Sequence, residues 1–463
     1  MFKWNTKNII YATGGKKIGN YDERIYSSNI SIDTRTLKRG DVFIALKGEN
    51  FDGHVFLGEA FLKGAVIAIV RECSNYNTSF PLILVQDTLK ALHDMASYYI
   101  KNVLIRAKVI AITGSIGKTT TKDMLNIVLS QYGISHANKG NLNNDIGLPL
   151  TILKASENCQ YLILEMGMSK ANEIRKLSEI SSPDIAVITN VEPTHIENFS
   201  SLLDIAEAKS EILYGMKNDG ILIINRDNRY YNYFLSFCNK RKVVSFGKHR
   251  SATVRLLDLA RDDNYGLSFK IRFSDNTVIN CNLLVRGEHF VYSVLIIAVI
   301  LQSLSLDLLK FPFTLKKFNI TRGRGSFHKL KFNGKNIYLI DDSYNASPSS
   351  VKAAIKTLCT YSSHRKVALL GDMLELGNKS IKFHVGLLNS IVECCVNGVY
   401  TVGKFMLELQ RFLPENIRGM HFDNSSELRD YLPNIIQNND VVLIKGSHKM
   451  KMDLIVRRFM NDC

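Results

Sequence analysis

The sequence predicts an α/β protein built from three domains. Its 463 residues correspond to about three domains of ordinary size. Short apolar runs alternate with stretches of helical length along most of the chain, which is the pattern of largely parallel sheets covered by helices. The composition, with 46% hydrophobic and 22% charged residues and 8 prolines, is that of a globular protein and excludes disordered and collagen-like chains.

The first predicted domain covers residues 1–86. Its strand-like runs at 41–46, 65–70 and 82–85 are separated by turns rich in glycine and aspartate. Such turns permit an anion-binding surface, but a set of hairpins that satisfy their own polar groups explains them without a ligand. The polar residues that gather in these turns are Asp33, Thr34, Arg35, Asp52 and His54.

The second predicted domain covers residues 87–312. Apolar residues on one face predict a helix over 88–100, and the apolar runs that follow predict parallel strands. The segment 311–313, Phe-Pro-Phe, marks the boundary with the next domain. The predicted strands lie at 108–113, 161–164, 185–189 and 221–224.

The third predicted domain covers residues 313–463. Apolar runs again alternate with stretches of helical length, which predicts a second, doubly wound parallel sheet. The predicted strands lie at 336–340, 366–370, 398–402 and 441–445.

The chain is basic, with 59 lysines and arginines against 43 aspartates and glutamates and a formal net charge of +16. A basic surface binds nucleic acid, binds anionic small molecules or consists of solvated lysines. Proteins that bind nucleic acid usually concentrate the charge in a stripe or a tail. Here the charge is diffuse along the sequence, and the lack of a clustered basic face argues against a nucleic-acid partner. The charge alone does not decide among the three explanations.

Three features predict a cytoplasmic protein without a membrane span. The eight cysteines form no CxxC pair, which argues against a zinc site and a disulfide framework. The N-terminus lacks the apolar core of a secretory signal. The longest apolar run, 290–301, has 12 residues, whereas a spanning helix needs about 20.

The strongest chemical signal is the segment 111–120, Ala-Ile-Thr-Gly-Ser-Ile-Gly-Lys-Thr-Thr, which follows an apolar strand and opens a helix. Its two glycines let backbone N–H groups surround phosphate oxygens, and the helix N-terminus favours negative charge. Lys118 can neutralise phosphates, and Thr119 can hold magnesium. Ile112 stands where the first glycine of the GxxxxGK[ST] pattern belongs, so a glycine-rich turn without a ligand is the alternative.

Polar side chains follow two further strands of this domain. Glu165 ends one apolar run, and Asn190 and His195 follow the next. The carboxyl ends of parallel strands face the crevice where ligands bind. Glu165 is therefore either a magnesium ligand or a solvated carboxylate, and His195 is either a ligand or a structural histidine. Lys209 lies in a helical stretch, and its spacing alone predicts an exposed lysine.

In the third domain, a strand runs into Asp341, Asp342 and turn-forming residues. These carboxylates suit ribose hydroxyls or a divalent ion, and they are equally suited to capping a helix at Ser349. Arg324 lies in a compact basic turn that could meet a phosphate. The segment 370–377 is another acidic loop after a strand, and its role is open.

Taken together, these motifs resemble the Mur ligases of peptidoglycan synthesis. The phosphate loop of that family is TGxxGKT, as at 113–119 here, which explains the missing glycine. The resemblance covers the chain from residue 33 to residue 448. The segments 139–150, 341–346 and 370–377 resemble in particular the branch of the family that adds a dipeptide. The other strings that carry it are Glu-Met-Gly at 165–167, Thr-Asn-x-x-x-x-His at 189–195, Ala-Lys-x-Glu at 208–211, and those at 139–150, 341–346 and 370–377.

The resemblance implies a three-domain enzyme. An N-terminal α/β domain would bind the UDP end of the substrate through Asp33, Thr34, Arg35, Asp52 and His54. A central P-loop-type parallel-sheet domain would bind ATP, and a Rossmann-like C-terminal domain would close over it. The residues that match ATP contacts of the family are Gly114, Ser115, Ile116, Gly117, Lys118, Thr119, Thr120, Arg324 and Asp341.

The resemblance also implies the catalytic residues Lys118, Glu165, His195 and Lys209. Lys118 would contact the phosphates. Thr119 and Glu165 would hold the first of two magnesium ions, and His195 would hold the second. Lys209 matches a lysine that CO2 converts to a carbamate, an anionic magnesium ligand. The residues near the reacting carboxylate and the dipeptide would be Asn141, Asn143 and Asn144.

The implied reaction uses ATP to phosphorylate the terminal carboxylate of UDP-N-acetylmuramoyl-tripeptide. The amine of D-alanyl-D-alanine would then attack the acyl phosphate and give UDP-N-acetylmuramoyl-pentapeptide, ADP and phosphate. Domain closure would exclude water, which hydrolyses acyl phosphates. The resemblance further implies a cytoplasmic monomer that acts on small molecules.

Departures and alternatives accompany this resemblance. Phe290 and Ser293 stand where asparagines are common, at the expected adenine contacts. Folylpolyglutamate synthase uses the same central chemistry, but its loop typically reads GKGS where this chain has Gly-Lys-Thr-Thr at 117–120, and it lacks the UDP-binding segment. A sister Mur ligase that adds one amino acid is disfavoured by the string at 141–149. An ATPase acting on nucleic acid and a non-catalytic protein are the more distant alternatives.

Overall fold

The structure, a computed structural model, describes residues 2–19, 21–22, 25–48, 51–71, 80–238, 241–261, 266–362 and 364–461. Three large sheets of five, nine and six strands follow one another along the chain. Helices connect most of their strands, so the predicted α/β class with three units is confirmed. A further pair of short antiparallel strands, Trp4–Asn5 and Tyr26–Ser27, lies near the N-terminus.

The first sheet is mostly parallel, and the expected hairpins are wrong. Lys16–Ile18 runs antiparallel to Leu82–Val85, and the other neighbouring strands are parallel. Parallel neighbours need a crossover connection, and the helix Leu57–Leu62 lies in one of them. The strands, in spatial order, are Lys16–Ile18, Leu82–Val85, Ile67–Arg71, Val42–Ile44 and Ile30–Ser31.

The helix Thr88–Asn102, predicted over 88–100, packs between a helix of the first domain and two helices of the central domain. Asp87 stabilises its start, because the carboxylate accepts two hydrogen bonds from backbone N–H groups of the first turn. Its buried side chains share one hydrophobic core with both domains. The helices that it contacts are Thr6–Thr13, Gly147–Leu153 and Glu173–Ser181.

The central sheet is largely parallel, as predicted, but one edge is antiparallel. The last two strands at that edge alternate exposed and buried residues, since one of their faces meets solvent. They therefore lack the continuous apolar runs that predicted the parallel strands. In spatial order the strands are Val278–Leu283, Leu267–Arg272, Val254–Arg261, Lys242–Gly247, Ile221–Asn225, Ile185–Ile188, Lys108–Thr113, Tyr161–Glu165 and Ser135–Ala137.

The long apolar run at 290–301 forms the helix His289–Ser303, which is buried against the helix Lys118–Leu129 and the strand Lys242–Gly247. In the part of the chain that the structure describes, no helix is both long and apolar enough to cross a membrane. The remaining helices of this region are Gly147–Leu153, Glu173–Ser181, Leu202–Ser210, Tyr231–Ser236 and Phe311–Leu315, with 3-10 turns at Ile196–Asn198 and Glu211–Leu213.

The C-terminal sheet begins with an antiparallel hairpin and continues in parallel. The helix expected near Ser349 begins at Pro348, and Ser347 and Ser350 form its capping box. The carboxylates proposed as its caps bond elsewhere, Asp341 with Ser343 and Asp342 with Lys445. The strands, in spatial order, are Ser326–Phe332, Lys335–Asp342, Asp440–Lys445, Lys366–Gly371, Gly398–Val402 and Arg418–Phe422. The helices are Pro348–Cys359, Ser380–Val385, Leu388–Glu393, Met406–Phe412, Ser425–Ile435 and Asp453–Asn461.

Candidate active site

A cavity of about 1400 Å3 is lined by residues of both the central and the C-terminal domain. Much of its wall comes from loops that follow parallel strands, which is where ligands bind in folds of this class. The structure therefore brings predicted residues from two domains together. Those that line the cavity are Ser115, Ile116, Gly117, Lys118, Thr119, Thr120, Asn141, Asn143, Asn144, Glu165, His195 and Arg324.

The phosphate loop joins the strand Lys108–Thr113 to the helix that begins at Lys118. Gly117 precedes the helix with φ of 84°, a left-handed conformation that favours glycine. Gly114 also has a positive φ, and a Cβ atom there would clash with the side chain of Thr189. Both glycines are therefore required by the backbone path itself.

Residues after the strand Ile185–Ile188 hold this loop in one conformation. Asn190 Oδ1 accepts a hydrogen bond from the backbone N–H of Ile116 at 2.9 Å, and Asn190 O accepts one from Ser115 N at 3.1 Å. Ser115 Oγ also donates to Glu192 O at 2.9 Å. A loop that is fixed before a ligand arrives loses less entropy when phosphate binds.

The side chain of Lys118 folds back over the loop. Its Nζ donates hydrogen bonds to Gly114 O at 2.8 Å and to Ser115 O at 3.3 Å. Burial lowers the pKa of Lys118, the Glu165 carboxylate opposes that shift, and the charge of Arg324 adds to it. Two cationic side chains and one carboxylate thus meet at the loop, which suits a polyphosphate.

Glu165 is not the solvated strand-end carboxylate that was one expectation, since it is 2% exposed. Its Oε1 accepts a hydrogen bond from Asn143 Nδ2 at 2.8 Å. Its Oε2 is buried and has no hydrogen-bond partner among the residues that the structure describes. Burying a carboxylate oxygen without a hydrogen-bond partner costs free energy. The position of Glu165 Oε2 therefore suits an atom that binds a ligand.

Two residues that the sequence did not single out position Glu165. Asn138 Oδ1 accepts a hydrogen bond from the Glu165 backbone N–H at 2.6 Å, and Asn138 Nδ2 donates to Leu142 O at 2.6 Å. Lys122, 1% exposed, donates from Nζ to Asn138 O at 2.7 Å. The one feature of the sequence that could have indicated a role for Lys122 is its position in the helix, one turn after Lys118.

His195 lies where the central and C-terminal domains meet. Its Nδ1 is in contact with Glu375 Oε2, a residue of the acidic loop after the strand Lys366–Gly371. Burial lowers the pKa of His195, whereas the Glu375 carboxylate raises it. Sequence reasoning noted the loop of Glu375 without a role, because nothing local connects it with His195.

Lys209 is buried, contrary to the exposed lysine that its spacing predicted. It lies near the end of the helix Leu202–Ser210 and is 2% exposed. Burial, assisted by the charge of Lys118, lowers the pKa of Lys209 well below its usual range, and no carboxylate compensates. Burial thus disfavours the charged form of this side chain.

Glu211, which belongs to the same motif as Lys209, has a structural role here. Its carboxylate accepts hydrogen bonds from the backbone N–H groups of Asn172 at 2.7 Å and Arg175 at 3.2 Å. These bonds stabilise the start of the helix Glu173–Ser181.

Arg324 and Asp341 contribute to the site in different ways. Arg324 lines the cavity, with its guanidinium 4.1 Å from the ring centre of Tyr344. Asp341 is buried behind it and accepts hydrogen bonds from Gly323 N at 2.9 Å and Ser343 Oγ at 2.6 Å. Asp341 thereby fixes the turn that presents Arg324.

Asp342, the next residue, forms a close pair with Lys445. Its Oδ2 lies 2.6 Å from Lys445 Nζ, and both residues line the cavity. Burial raises the pKa of Asp342, and the lysine opposes that shift. This pair joins two neighbouring strands of the C-terminal sheet at their carboxyl ends.

The polar turns of the N-terminal domain do not line this cavity. The Asp33 carboxylate accepts hydrogen bonds from Arg35 N and from the Arg35 guanidinium, the shortest at 2.7 Å. His54 Nδ1 lies 2.6 Å from Asp52 Oδ1, and His54 Nε2 accepts from Arg71 N at 2.9 Å. These turns are internally ordered, so any substrate contact there is made at a separate surface.

The expected adenine side of the cavity is built without the common asparagines. Phe290 is buried, and Ser293 lines the cavity while its Oγ accepts a hydrogen bond from Thr121 Oγ1 at 2.9 Å. Tyr292 Oη donates to Asp227 Oδ2 at 2.9 Å, and both of these residues also line the cavity. Sequence reasoning missed this tyrosine and aspartate.

Magnesium can be tested against these side chains. Among the described residues, no group of three or more His, Cys, Asp or Glu side chains is arranged to hold a metal ion. Magnesium at nucleotide sites is typically held by one or two carboxylates together with substrate phosphates. Glu165, with one unpaired buried oxygen close to the phosphate loop, fits that kind of site.

The fold and the site define a three-domain α/β protein with a phosphate-binding loop at the junction of two domains. Three family models match consecutive parts of the chain: "Mur ligase family, catalytic domain" at residues 27–111, "Mur ligase middle domain" at 112–301, and "Mur ligase, glutamate ligase domain" at 323–448. The chain belongs to the Mur ligase family.

Curated relatives match almost the whole chain. The UDP-N-acetylmuramoyl-tripeptide--D-alanyl-D-alanine ligase of Rickettsia prowazekii (strain Madrid E) is 35% identical over 98% of this chain and 99% of its own length. The ligase of the same name from Bacillus subtilis (strain 168) is 35% identical over 99% of this chain and 98% of its own length.

Solved structures agree with the fold over its full length. MurF from Acinetobacter baumannii superposes with a TM-score of 0.90 at 28% identity and covers 100% of this chain and 99% of its own. The MurF ligase of Thermotoga maritima in complex with ADP gives a TM-score of 0.82 at 27% identity, covering 94% of this chain and 97% of its own. Nucleotide use therefore accompanies this fold in a relative.

Proposed function

We propose that this chain is an ATP-dependent ligase that joins D-alanyl-D-alanine to the terminal carboxylate of UDP-N-acetylmuramoyl-tripeptide in peptidoglycan synthesis. Relatives that share 35% of its residues over nearly the whole chain carry the name of that ligase. The observation that carries the proposal is Glu165, whose unpaired buried oxygen lies at the phosphate loop in a cavity lined by two domains.

The reaction has two steps. A carboxylate oxygen of the tripeptide attacks the γ-phosphorus of ATP, the bond to the β-phosphate oxygen breaks, and an acyl phosphate and ADP form. The amine of the dipeptide then attacks the acyl carbon, the carbon–oxygen bond to phosphate breaks, and the nitrogen loses its proton. Backbone N–H groups of the loop and Lys118 stabilise the charge that develops on the transferred group.

Four side chains are proposed to hold two magnesium ions. Thr119 and Glu165 would hold the first and His195 the second, and Lys209, as a carbamate, would be a further magnesium ligand. Magnesium would supply charge neutralisation at the phosphoryl oxygens. Glu165 supports this assignment through its unpaired Oε2. Thr119 is the second residue of the helix after the loop and lines the cavity.

We propose that Lys209 acts as a carbamate. Burial lowers the pKa of Lys209 and so favours the neutral amine, which is the form that reacts with CO2. The amine nitrogen bonds to the carbon of CO2 and releases one proton, so the neutral amine becomes an anionic carbamate. A buried anion near Lys118 would be electrostatically favourable where a buried cation is not.

Substrates are proposed to occupy two regions. Asn141, Asn143 and Asn144 line the cavity with Glu165. We propose that they contact the tripeptide carboxylate and the dipeptide. The UDP end would bind the N-terminal turns, at Asp33, Thr34, Arg35, Asp52 and His54. ATP would lie along the loop from Gly114 to Thr120, with Arg324 and Asp341 on the opposite side.

Domain bounds, oligomeric state and cellular location are also proposed. We assign the domains to residues 1–86, 87–312 and 313–463, and we expect a monomer in the cytoplasm. The net charge of +16 suits two polyanionic nucleotide substrates, because a positive surface raises their rate of encounter.

Phosphate release from ATP tests the proposal, with UDP-N-acetylmuramoyl-tripeptide and D-alanyl-D-alanine supplied singly and together. We expect release to require both and the product to be a UDP-linked pentapeptide. Lys118→Ala should lower turnover by roughly 100-fold or more, the usual cost of losing one preorganised charge. Lys101→Ala, at an exposed position on the helix Thr88–Asn102, is the control.

Other outcomes separate the alternatives. Turnover with dihydrofolate and glutamate would identify the folylpolyglutamate branch, and turnover with a single amino acid would identify a sister Mur ligase. Stimulation of ATP hydrolysis by single-stranded nucleic acid would identify a different class of ATPase. Each of these results keeps the fold and rejects the substrates.

A further inference from the structure

We propose that Glu375 is the positioning residue for His195 and that docking of the C-terminal domain delivers it. The two side chains belong to different domains, and their contact spans the interface. The inference rests on the proposed role of His195 at the reaction centre. It adds a residue that the sequence assigned to no function, and it makes the C-terminal domain part of the ion site.

The contact has an unusual backbone on both sides. His195 has φ of 56° and Glu375 has φ of 63°, so both occupy the left-handed region. Residues other than glycine adopt this region at a cost and keep it where the surroundings impose it. The two strained residues contact each other, so we infer that their backbone conformations are kept because they allow this contact.

The loop that carries Glu375 is fixed from within the C-terminal domain. Met373 N donates to His384 Nε2 at 2.9 Å, and Leu374 N donates to Ser447 Oγ at 2.8 Å. Glu375 therefore arrives at the interface on a rigid support.

The interface holds the loop by its backbone as well. Glu197 N, two residues beyond His195, donates a hydrogen bond to Glu375 O at 3.2 Å. A Cβ atom on Gly377 would lie 3.3 Å from Glu197 Cα, so the two loops are closely packed. Docking thus sets both the position and the angle of the Glu375 carboxylate relative to the imidazole.

The chemistry of the pair explains its use. The carboxylate beside Nδ1 favours the tautomer that carries the ring proton on Nδ1, and this tautomer has its lone pair on Nε2. Among the described residues, Nε2 of His195 makes no hydrogen bond. A carboxylate behind a histidine commonly orients it towards a cation and raises its basicity. Glu375 supplies that carboxylate only when the two domains are docked.

A reciprocal consequence follows. If docking strengthens cation binding at His195, then the bound cation must favour docking by the same factor. The site is therefore complete only in the closed arrangement, which also excludes the water that destroys an acyl phosphate. ATP bound to the open protein would meet an ion site that lacks one of its orienting groups.

The test uses two substitutions of Glu375 in the full chain. Glu375→Gly removes the carboxylate and relieves the left-handed strain, so thermal unfolding should not occur at a lower temperature. Glu375→Gln keeps an oxygen that accepts the Nδ1 proton and should restore function. Glu393→Gln, an exposed carboxylate on the helix Leu388–Glu393, is the matched control.

The primary readout is Mn2+ affinity in the presence of ADP, followed by electron paramagnetic resonance. We expect Glu375→Gly to weaken Mn2+ binding by ~10-fold and to lower kcat by ~10–100-fold, the usual effect of removing such a carboxylate. Glu375→Gln should stay within ~3-fold of the unmodified protein in both respects, and the control should be unchanged.

His195→Ala separates this inference from the proposed function. If His195→Ala weakens Mn2+ binding and Glu375→Gly does not, the positioning role is overturned and the function stands. If neither substitution changes Mn2+ affinity or turnover, the proposed ion site itself is wrong. A lower unfolding temperature for Glu375→Gly, with Mn2+ affinity intact, would show a purely structural contact and overturn the inference.

Discussion

Asn143 donates a hydrogen bond of 2.8 Å from its side-chain amide to Glu165 Oε1, and the backbone of the same asparagine accepts one from Gly167 N at 2.9 Å. One residue thus ties the loop 139–144 to both the end and the continuation of the strand Tyr161–Glu165. Because Oε1 is taken by Asn143, the second oxygen of Glu165 is the one left for a ligand.

Replacement of Asn143 by alanine should therefore disturb Glu165 more than it disturbs the fold. We expect Asn143→Ala to lower kcat by ~10–100-fold, the range seen when the partner of an ion-binding side chain is removed. Steady-state turnover at saturating substrates measures it. Asn158→Ala, at an exposed position before the strand, is the control, and equal turnover in the two variants would contradict the assignment.

We expect Lys122 to stabilise the fold as well as to hold Asn138, which positions Glu165. Lys122→Met keeps the buried stem but leaves Asn138 O without its donor, which should lower the free energy of unfolding by about 1–3 kcal/mol. Denaturant unfolding measures this loss, with Lys101→Met as an exposed control. A variant as stable as the parent would mean that Asn138 O finds another partner.

The elements that the sequence predicted correctly are those with local signatures. The strand Lys108–Thr113 and the loop after it follow from an apolar run, two glycines and a lysine within a dozen residues. Parallel strands such as Gly398–Val402 were predicted with their bounds, because strands buried on both faces are continuous in apolar residues.

The features that sequence reasoning missed depend on contacts between distant segments. The burial of Lys209 follows from how its helix packs, since the same spacing on an exposed face would look identical. The pairing of Glu375 with His195 requires two domains to meet, and neither loop carries a local sign of the other. The edge strand Val278–Leu283 was missed because one of its faces is solvated.

Replacement of Lys209 by methionine should make the protein more stable and less active. Lys209→Met removes a buried amine whose charged form is disfavoured by burial, and it should raise the free energy of unfolding by about 1–3 kcal/mol, the cost of burying a polar group. The same change should reduce turnover by roughly 100-fold or more, as loss of a preorganised charge does. Thermal unfolding and phosphate release measure the two effects.

The controls for this prediction distinguish chemistry from packing. Lys154→Met, at an exposed position, should change neither quantity. Labelled 13C-bicarbonate should give a carbamate signal in the parent protein and none in Lys209→Met, and added bicarbonate should not restore the variant's activity. Unchanged turnover in Lys209→Met would remove this residue from the site.

His384 makes the support beneath Glu375 sensitive to acid. Its Nδ1 lies 2.7 Å from Ser380 O and its Nε2 accepts a hydrogen bond from Met373 N, so the ring is neutral in the folded protein. Burial lowers the pKa of His384 below the value of about 6.5 that it has in the unfolded chain. Its contribution to stability is complete above that pH and is lost as the pH falls, since the unfolded chain takes up the proton first.

Urea unfolding of the parent protein and of His384→Gln between pH 8 and pH 5 checks this expectation. Glutamine can accept the hydrogen bond from Met373 N but cannot titrate, so its variant should lose less stability on acidification than the parent does. The difference between the two proteins isolates His384 from the other histidines, which titrate in both. Parallel pH profiles for the two proteins would show that His384 takes up its proton equally in the folded and unfolded chains, and they would contradict the lowered pKa.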